Sequence, residues 1–178
     1  MKRTLIASLV GGIILFLWQF LSWTVLNLHV SMQQYTPKQT EIMDYLSKNL
    51  DEGFYFLPTY PEGTSMADAE KYMKEYTGKP FAQIYYHKSS ITSMAPNMAR
   101  SLLIDILAVF LLVFVLSKMH YPSFQAILIS SLAIGFLSYL STSYTNSIWF
   151  QTKSMPDMID AIVSWGLVGS WLGWILRR

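Results

Sequence analysis

The sequence predicts a membrane all-α fold, a four-transmembrane-helix bundle with a small α+β extracytoplasmic domain inserted between helices 1 and 2. Three observations predict it. Only 13% of the 178 residues are charged, whereas soluble domains carry about a quarter. Those charges are missing from four apolar runs and gathered in one central stretch. The short flanks on one side of the runs hold Lys and Arg without Asp or Glu. The same facts exclude a soluble globular enzyme, a disordered chain and a basic nucleic-acid binder. The absence of cysteine removes disulfide scaffolds, thiolate catalysis and thiolate metal sites together.

The first element spans residues 1–28. From Thr4 to Leu28 there is no charge, and a bilayer core of about 30 Å needs about 20 apolar helical residues. The start Met1-Lys2-Arg3 resembles that of a secretory signal peptide. Such peptides have an apolar region of roughly 7–15 residues and then a small-residue cleavage site. Here the run is longer, and Trp18, Gln19, Phe20 and Trp23 stand where small residues are required. It reads as an uncleaved signal anchor.

Residues 29–95 carry mixed charge and a folded pattern. Thr36-Pro37-Lys38-Gln39 reads as a helix start, with Thr36 as cap and Pro37 at the first helical position. Ile42, Met43, Leu46 and Leu50 follow at helical spacing, and Asp51-Glu52-Gly53 ends that helix. Phe54 to Leu57 suits a strand. Ser65, with Asp68 three residues on, caps a second helix that Gly78 and Pro80 close. Phe81 to His87 reads as a second strand. A segment this short is marginal as an independent fold without disulfides or metal, so it is expected to lean on the helices or on a partner.

Residues 96–178 hold three further helices, at about 96–118, 123–147 and 158–176. Pro96 opens the first of them, Pro122 separates it from the next, and Pro156 precedes the last. Four passes put Lys2, Arg3, Lys118, Arg177 and Arg178 on one side. By the positive-inside rule that side is the cytoplasm, with both termini there and residues 29–95 outside, in a bacterial inner membrane. Trp18, Trp23, Trp149, Trp171 and Trp174, with Tyr121 and Tyr144, fit interfacial belts, and Trp165 lies deeper as a packing residue.

The exceptions to low charge are the candidate site. Asp105 lies inside a span, where an ionisable group costs about 2.5–3.5 kcal/mol at the bilayer centre and so has a partner or a role. It reads first as a structural acid tied to Arg100, to a polar group of a neighbouring helix or to interfacial water. The functional reading is a proton- or cation-binding carboxylate. Asp157 and Asp160 open the last helix, where the helix dipole favours acids. Asp105, Asp160, Arg100 and Asn146, with His29 or His87, are expected to meet at one depth, and Gln19 and Ser22 to hydrogen-bond across the bundle. The histidines lack metal-ligand spacing, so no metal and no cofactor are expected. No phosphate-binding glycine loop, nucleophile elbow, His-Glu-x-x-His helix or kinase signature occurs.

Small residues form faces suited to close helix approach in lipid. Gly11 and Gly12 lie on the first span, Gly135 on the third, and Gly166, Gly169, Ser170 and Gly173 on the last. They are expected to pack the helices of one chain, with association of two copies through the last helix as the alternative.

Several short motifs carry a resemblance. They are Gly11-Gly12 before Trp18, Gly53-Phe54-Tyr55-Phe56-Leu57-Pro58, Tyr86-His87, Met94-Ala95-Pro96, Ile148-Trp149-Phe150 and Ile159-Asp160. With this threading the chain resembles a family of small, uncharacterised bacterial multi-pass membrane proteins. The resemblance implies an envelope location and brings no activity. Relatives carry a His soon after the acid of the last helix. Asp160-Ala161 departs from that and counts against a metal site.

The function expected is non-catalytic: an accessory, assembly or scaffolding subunit whose extracytoplasmic domain contacts another membrane or envelope protein. Its other partner is the lipid bilayer, with no nucleic acid. A small oligomeric transporter or channel using Asp105 is one alternative. A membrane enzyme or ligand sensor, with a site where the domain meets the bundle, is the other.

Overall fold

The computed structural model describes residues 2–120 and 122–177; Tyr121 and Arg178, named above for a belt and a flank, lie outside the described residues. The chain forms two compact units. One comprises the segments up to Gln34 and from Ser93 onward, and the other is Tyr35–Thr92.

Four helices are long and apolar enough to cross a membrane: Lys2–Thr24, Ala95–Leu116, Phe124–Phe150 and Met155–Ile175. The first is α1. At its end Asn27 takes a left-handed turn (φ 51°), a conformation Asn tolerates better than most side chains. A 3-10 turn, Leu28–Met32, follows. In the second unit, α2 (Gln39–Asn49) begins later than the capping pattern predicts. The Thr36 hydroxyl accepts from the Lys38 N–H at 3.3 Å, so the Thr-Pro-Lys segment forms a turn ahead of the helix. Strand β1 (Gly53–Leu57) pairs antiparallel with β2 (Ala82–Tyr86), Tyr55 opposite Ile84, and Phe54 stacks on Tyr85 with centroids 4.5 Å apart. Between the strands runs α3 (Met66–Tyr76), capped as the sequence indicates: the Ser65 hydroxyl accepts from the Asp68 N–H at 3.2 Å. Gly78, at φ 78°, takes the left-handed turn beyond α3.

The second of these long helices is α4 (Ala95–Leu116). The third runs as α5 (Phe124–Tyr139), a π-helical stretch over Leu140–Tyr144, and α6 (Thr145–Phe150). Its polar half stays helical because the hydroxyls bond back to the helix's own carbonyls. Ser141 donates to Leu137 O at 2.9 Å, Thr142 to Ser138 O at 2.7 Å and Thr145 to Leu140 O at 2.8 Å. Gln151, at φ 54°, ends it. The last span, α7 (Met155–Ile175), starts three residues before its expected boundary, with Pro156 in its first turn.

The main helix contacts run in the order α4, α1, α7, α5. Thus α1 and α7 are central, and each flanking helix has one principal neighbour. Val109, Leu112, Leu116, Ile127, Val168 and Leu172 form the core. The opposite faces remain exposed and apolar, as Leu5, Leu9 and Leu17 on α1 and Leu103, Leu107 and Leu111 on α4 illustrate. That surface suits lipid and not water.

Small residues set the helix spacing. A Cβ added at Gly12 would come 2.5 Å from the Ile106 Cα, so α1 and α4 touch backbone to backbone. A Cβ at Gly11 would meet Val109 at 2.7 Å, one at Gly169 the Ser131 Cβ at 2.8 Å, and one at Gly173 the Phe124 ring at 2.6 Å. Gly135 receives the Trp165 indole against its backbone, which makes Trp165 a packing residue. Gly166 differs, with only ordinary contact to Leu132 at 3.6 Å. Ser170 is exposed, so the small-residue face of α7 is narrower than its spacing suggests. Gly169 and Gly173 are buried against α5 of the same chain.

Candidate functional site

Three of the buried polar residues, Ser22, His29 and Asp105, gather with Asp160 around the last two turns of α1. Trp18 and Ser22 are four residues apart and share one face of a helix. That face meets α7 at Asp160. The Ser22 hydroxyl donates to Asp160 Oδ1 at 2.6 Å, and the Trp18 indole N–H donates to the same oxygen at 3.0 Å. The other oxygen, Oδ2, lies 2.9 Å from His29 Nε2. All three partners can donate, and both oxygens accept, which is the pattern of an acceptor-only carboxylate. Asp160 sits in the second turn of α7, beyond the first turn where the helix dipole favours an anion, so its partners are these three donors.

His29 reaches this position through the turn at Asn27, and it is 3% exposed. Trp23 covers it, ring against ring, with centroids 3.9 Å apart and planes 4° from parallel. With Nε2 donating to Asp160, Nδ1 faces Met32 Sδ at 3.4 Å and Asp157 Oδ1 at 3.8 Å. Nearby, the Lys153 ammonium donates to the Ser31 carbonyl at 2.8 Å and ties the segment before α7 to the 3-10 turn. The end of α1 and the 3-10 turn are thereby tied to α7 through one carboxylate, and Lys153 adds a separate tie to the turn.

Asp105 is built differently. It lies on the α4 face against α1 and is 6% exposed. Its Oδ1 accepts from the Gln19 side-chain amide at 3.1 Å, and the Ser101 hydroxyl donates to Gln19 Oε1 at 3.4 Å. The second oxygen, Oδ2, is buried without a hydrogen-bond partner. Two acids thus meet α1 within one turn, Asp105 through Gln19 and Asp160 through Trp18 and Ser22. One is fully satisfied and the other half satisfied.

Of the residues singled out in the sequence, the structure brings Asp105 and Asp160 onto α1, with His29 as the histidine beside Asp160. Arg100 is exposed and does not pair with Asp105. Asn146 is exposed on α6 and takes no part. His87 is exposed in the other unit. Trp18 and Trp23, read from sequence as belt residues, are working members of the network. The signal for Trp18 was present: it lies four residues before Ser22, on the same helical face.

Ser22 donates to the carboxylate and not to His29, so no nucleophile–base contact is formed there. Among the described residues no group of three or more His, Asp or Glu is placed to hold a metal. Compared with known proteins, the chain matches no family model, no curated protein and no solved structure.

Proposed function

We propose that the protein is a non-catalytic, multi-pass membrane subunit whose Tyr35–Thr92 unit docks on another membrane or envelope protein. In this reading the termini face the cytoplasm of a bacterial cell, α1 is a signal anchor, and the chain belongs with the small envelope proteins its motifs resemble. One observation carries the docking: in the whole of Tyr35–Thr92 only Ala69 and Tyr86 are buried. A unit with so little core is marginal without a cover. The apolar side chains that would complete it are exposed. No residue of α2 is buried, and Ile42 and Met43 are 47% and 50% exposed. A protein surface fits α2 better than a membrane surface, because Glu41 and Asp44 outnumber Lys48, which pairs with Asp44, and the helix lacks the basic face that anionic lipid attracts.

The test uses the full chain in native membranes with a photo-crosslinking residue at Ile42 or Met43. The expected result is one dominant adduct with a different membrane protein, lost when Leu46 is changed to Glu. Adducts confined to lipid or to a second copy, or a monomer whose Tyr35–Thr92 unit resists protease by itself, overturn it.

A second reading, a small transporter coupled to protons or cations through Asp105, is favoured by the unpartnered Oδ2. Ion flux in proteoliposomes that disappears with Asp105→Asn supports that reading; flux indifferent to the change, or none, removes it.

A further inference from the structure

Among the described residues, the end of the helix unit that carries Arg3 and Arg177 holds a cavity. There α4 and α5 have different principal neighbours, and a cavity of about 840 Å³ opens among the start of α1, the end of α4, the start of α5 and the end of α7. Its deep wall is apolar: Val113, Leu116 and Ile127 line it and are no more than 2% exposed. Its rim is basic, formed by Arg3, His120 and Arg177. No Asp or Glu lines it among the described residues.

Two guanidinium groups at the edge of one cavity, with no acid beside them among the described lining residues, make a positive rim that favours an anion. Arginine binds phosphate through paired N–H donors, and a phosphate at this position would have two such forks within the rim. The apolar wall selects among phosphates. A free inorganic ion would leave that wall in contact with water. A phosphate attached to acyl chains would cover it and remove apolar surface from solvent. The depth also matches. Arg3 and Arg177 stand at the ends of helices long enough to span a bilayer, which is headgroup level, and basic pockets between spanning helices are recognised lipid headgroup sites.

We propose that this cavity binds the phosphate headgroup of an anionic membrane lipid, with Arg3 and Arg177 as its charge partners and Val113, Leu116 and Ile127 against the upper part of its chains. The site requires only that the four helices span a membrane and is independent of the docking of Tyr35–Thr92.

Native mass spectrometry of the purified full chain tests it, with phosphatidylglycerol and phosphatidylcholine added in parallel and inorganic phosphate as competitor. Phosphatidylglycerol is expected to bind in preference to phosphatidylcholine and to survive added phosphate. Changing Arg3 and Arg177 together to Gln is expected to weaken it about tenfold or more. The control changes Lys2 and Lys118 together to Gln. Neither lines the cavity, the change in charge is equal, and the Lys118 ammonium is turned over the Phe114 ring, 4.8 Å from its centroid. That pair is expected to bind as wild type does. Equal weakening in both pairs means diffuse surface charge and overturns the site. Equal binding of the two lipids overturns charge recognition, and displacement by inorganic phosphate overturns the lipid in favour of a free-anion site. The lipid comparison on the wild-type chain decides the matter even if a variant fails to fold.

Discussion

His29 Nε2 lies 2.9 Å from Asp160 Oδ2, although 131 positions separate the two residues in the chain. The contact joins the segment that leaves α1 to α7. It is also one of three hydrogen bonds converging on a single carboxylate, so its removal has a computable direction.

Asp160→Ala leaves the Trp18 N–H, the Ser22 O–H and the His29 N–H without their acceptor. A hydrogen bond to a charged group contributes about 1.5–3 kcal/mol in soluble proteins, and polar contacts between membrane helices contribute less. Asp160→Ala is therefore expected to destabilise the purified protein by about 2 kcal/mol, read as a lower midpoint in thermal unfolding in detergent. Asp160→Asn, which keeps one acceptor oxygen, should lose less. A midpoint unchanged in the Ala variant would show that the network does not support the fold.

Asp105→Asn should behave in the opposite way. Its amide keeps an oxygen for Gln19, and its NH₂ replaces a carboxylate oxygen that has no partner. Replacing a poorly compensated buried acid by a neutral group is often neutral or stabilising. The expected midpoint equals or exceeds that of wild type. A loss as large as that of Asp160→Ala would mean that Oδ2 has a partner that binds it in the membrane.

The glycines separate by what a methyl group would strike. Gly12→Ala places its Cβ on the Ile106 backbone at 2.5 Å, which cannot rotate away. A cost of about 1–3 kcal/mol is expected for such overpacking. Gly166→Ala meets only Leu132 at 3.6 Å, and the gain in helix propensity, up to about 1 kcal/mol, is expected to remain. Thermal unfolding of the two variants side by side should move in opposite directions; movement in the same direction refutes the packing of α1 on α4.

In the Tyr35–Thr92 unit, the Lys88 ammonium donates to Asp51 Oδ1 at 2.7 Å. That hydrogen bond and the accompanying charge attraction hold the Asp51 carboxyl below its ordinary 3.8 and the Lys88 ammonium above its ordinary 10.5. For the depressed acid, the contribution is present above 3.8 and lost as the pH falls through the lower folded value. For the raised base, it is present below 10.5 and lost as the pH rises past the higher folded value. The pair is exposed, so the effect on stability should be small and weakened by salt. Carboxyl NMR titration should show the Asp51 midpoint rise when Lys88 is changed to Gln. A midpoint that stays in place would mean that the pair does not form in solution.

The four long helices and the two strands were legible because apolar runs, caps and alternation are one-dimensional signals. Gln19 and Ser22 were legible for the same reason, as polar residues on a face that must be buried. Arg100 was misplaced by helical phase. Five residues before Asp105, it points about 140° away, whereas Ser101, four residues before, shares the face of Asp105 and completes the Gln19 chain. Asn146 follows the π-helical stretch at Leu140–Tyr144, which shifts the phase of everything after it. His29 was one of two candidates, with His87, because its burial depends on a single left-handed residue, Asn27, and on a surface of α7 that no local pattern announces. Composition places Trp18 and Trp23 in interfacial belts, and only the position of α7 distinguishes an indole that anchors from one that donates to an acid.

The central position of α1, between α4 and α7, fixes an order of events during synthesis. This helix precedes α4 and α7 in the chain, so Trp18, Gln19 and Ser22 are made before the acids they meet. Gln19 finds Asp105 when α4 emerges, but Trp18 and Ser22 must wait for α7. Until α7 is made, the nascent α1 carries an unfilled polar edge, a feature by which the bundle without α7 differs chemically from the bundle that has it.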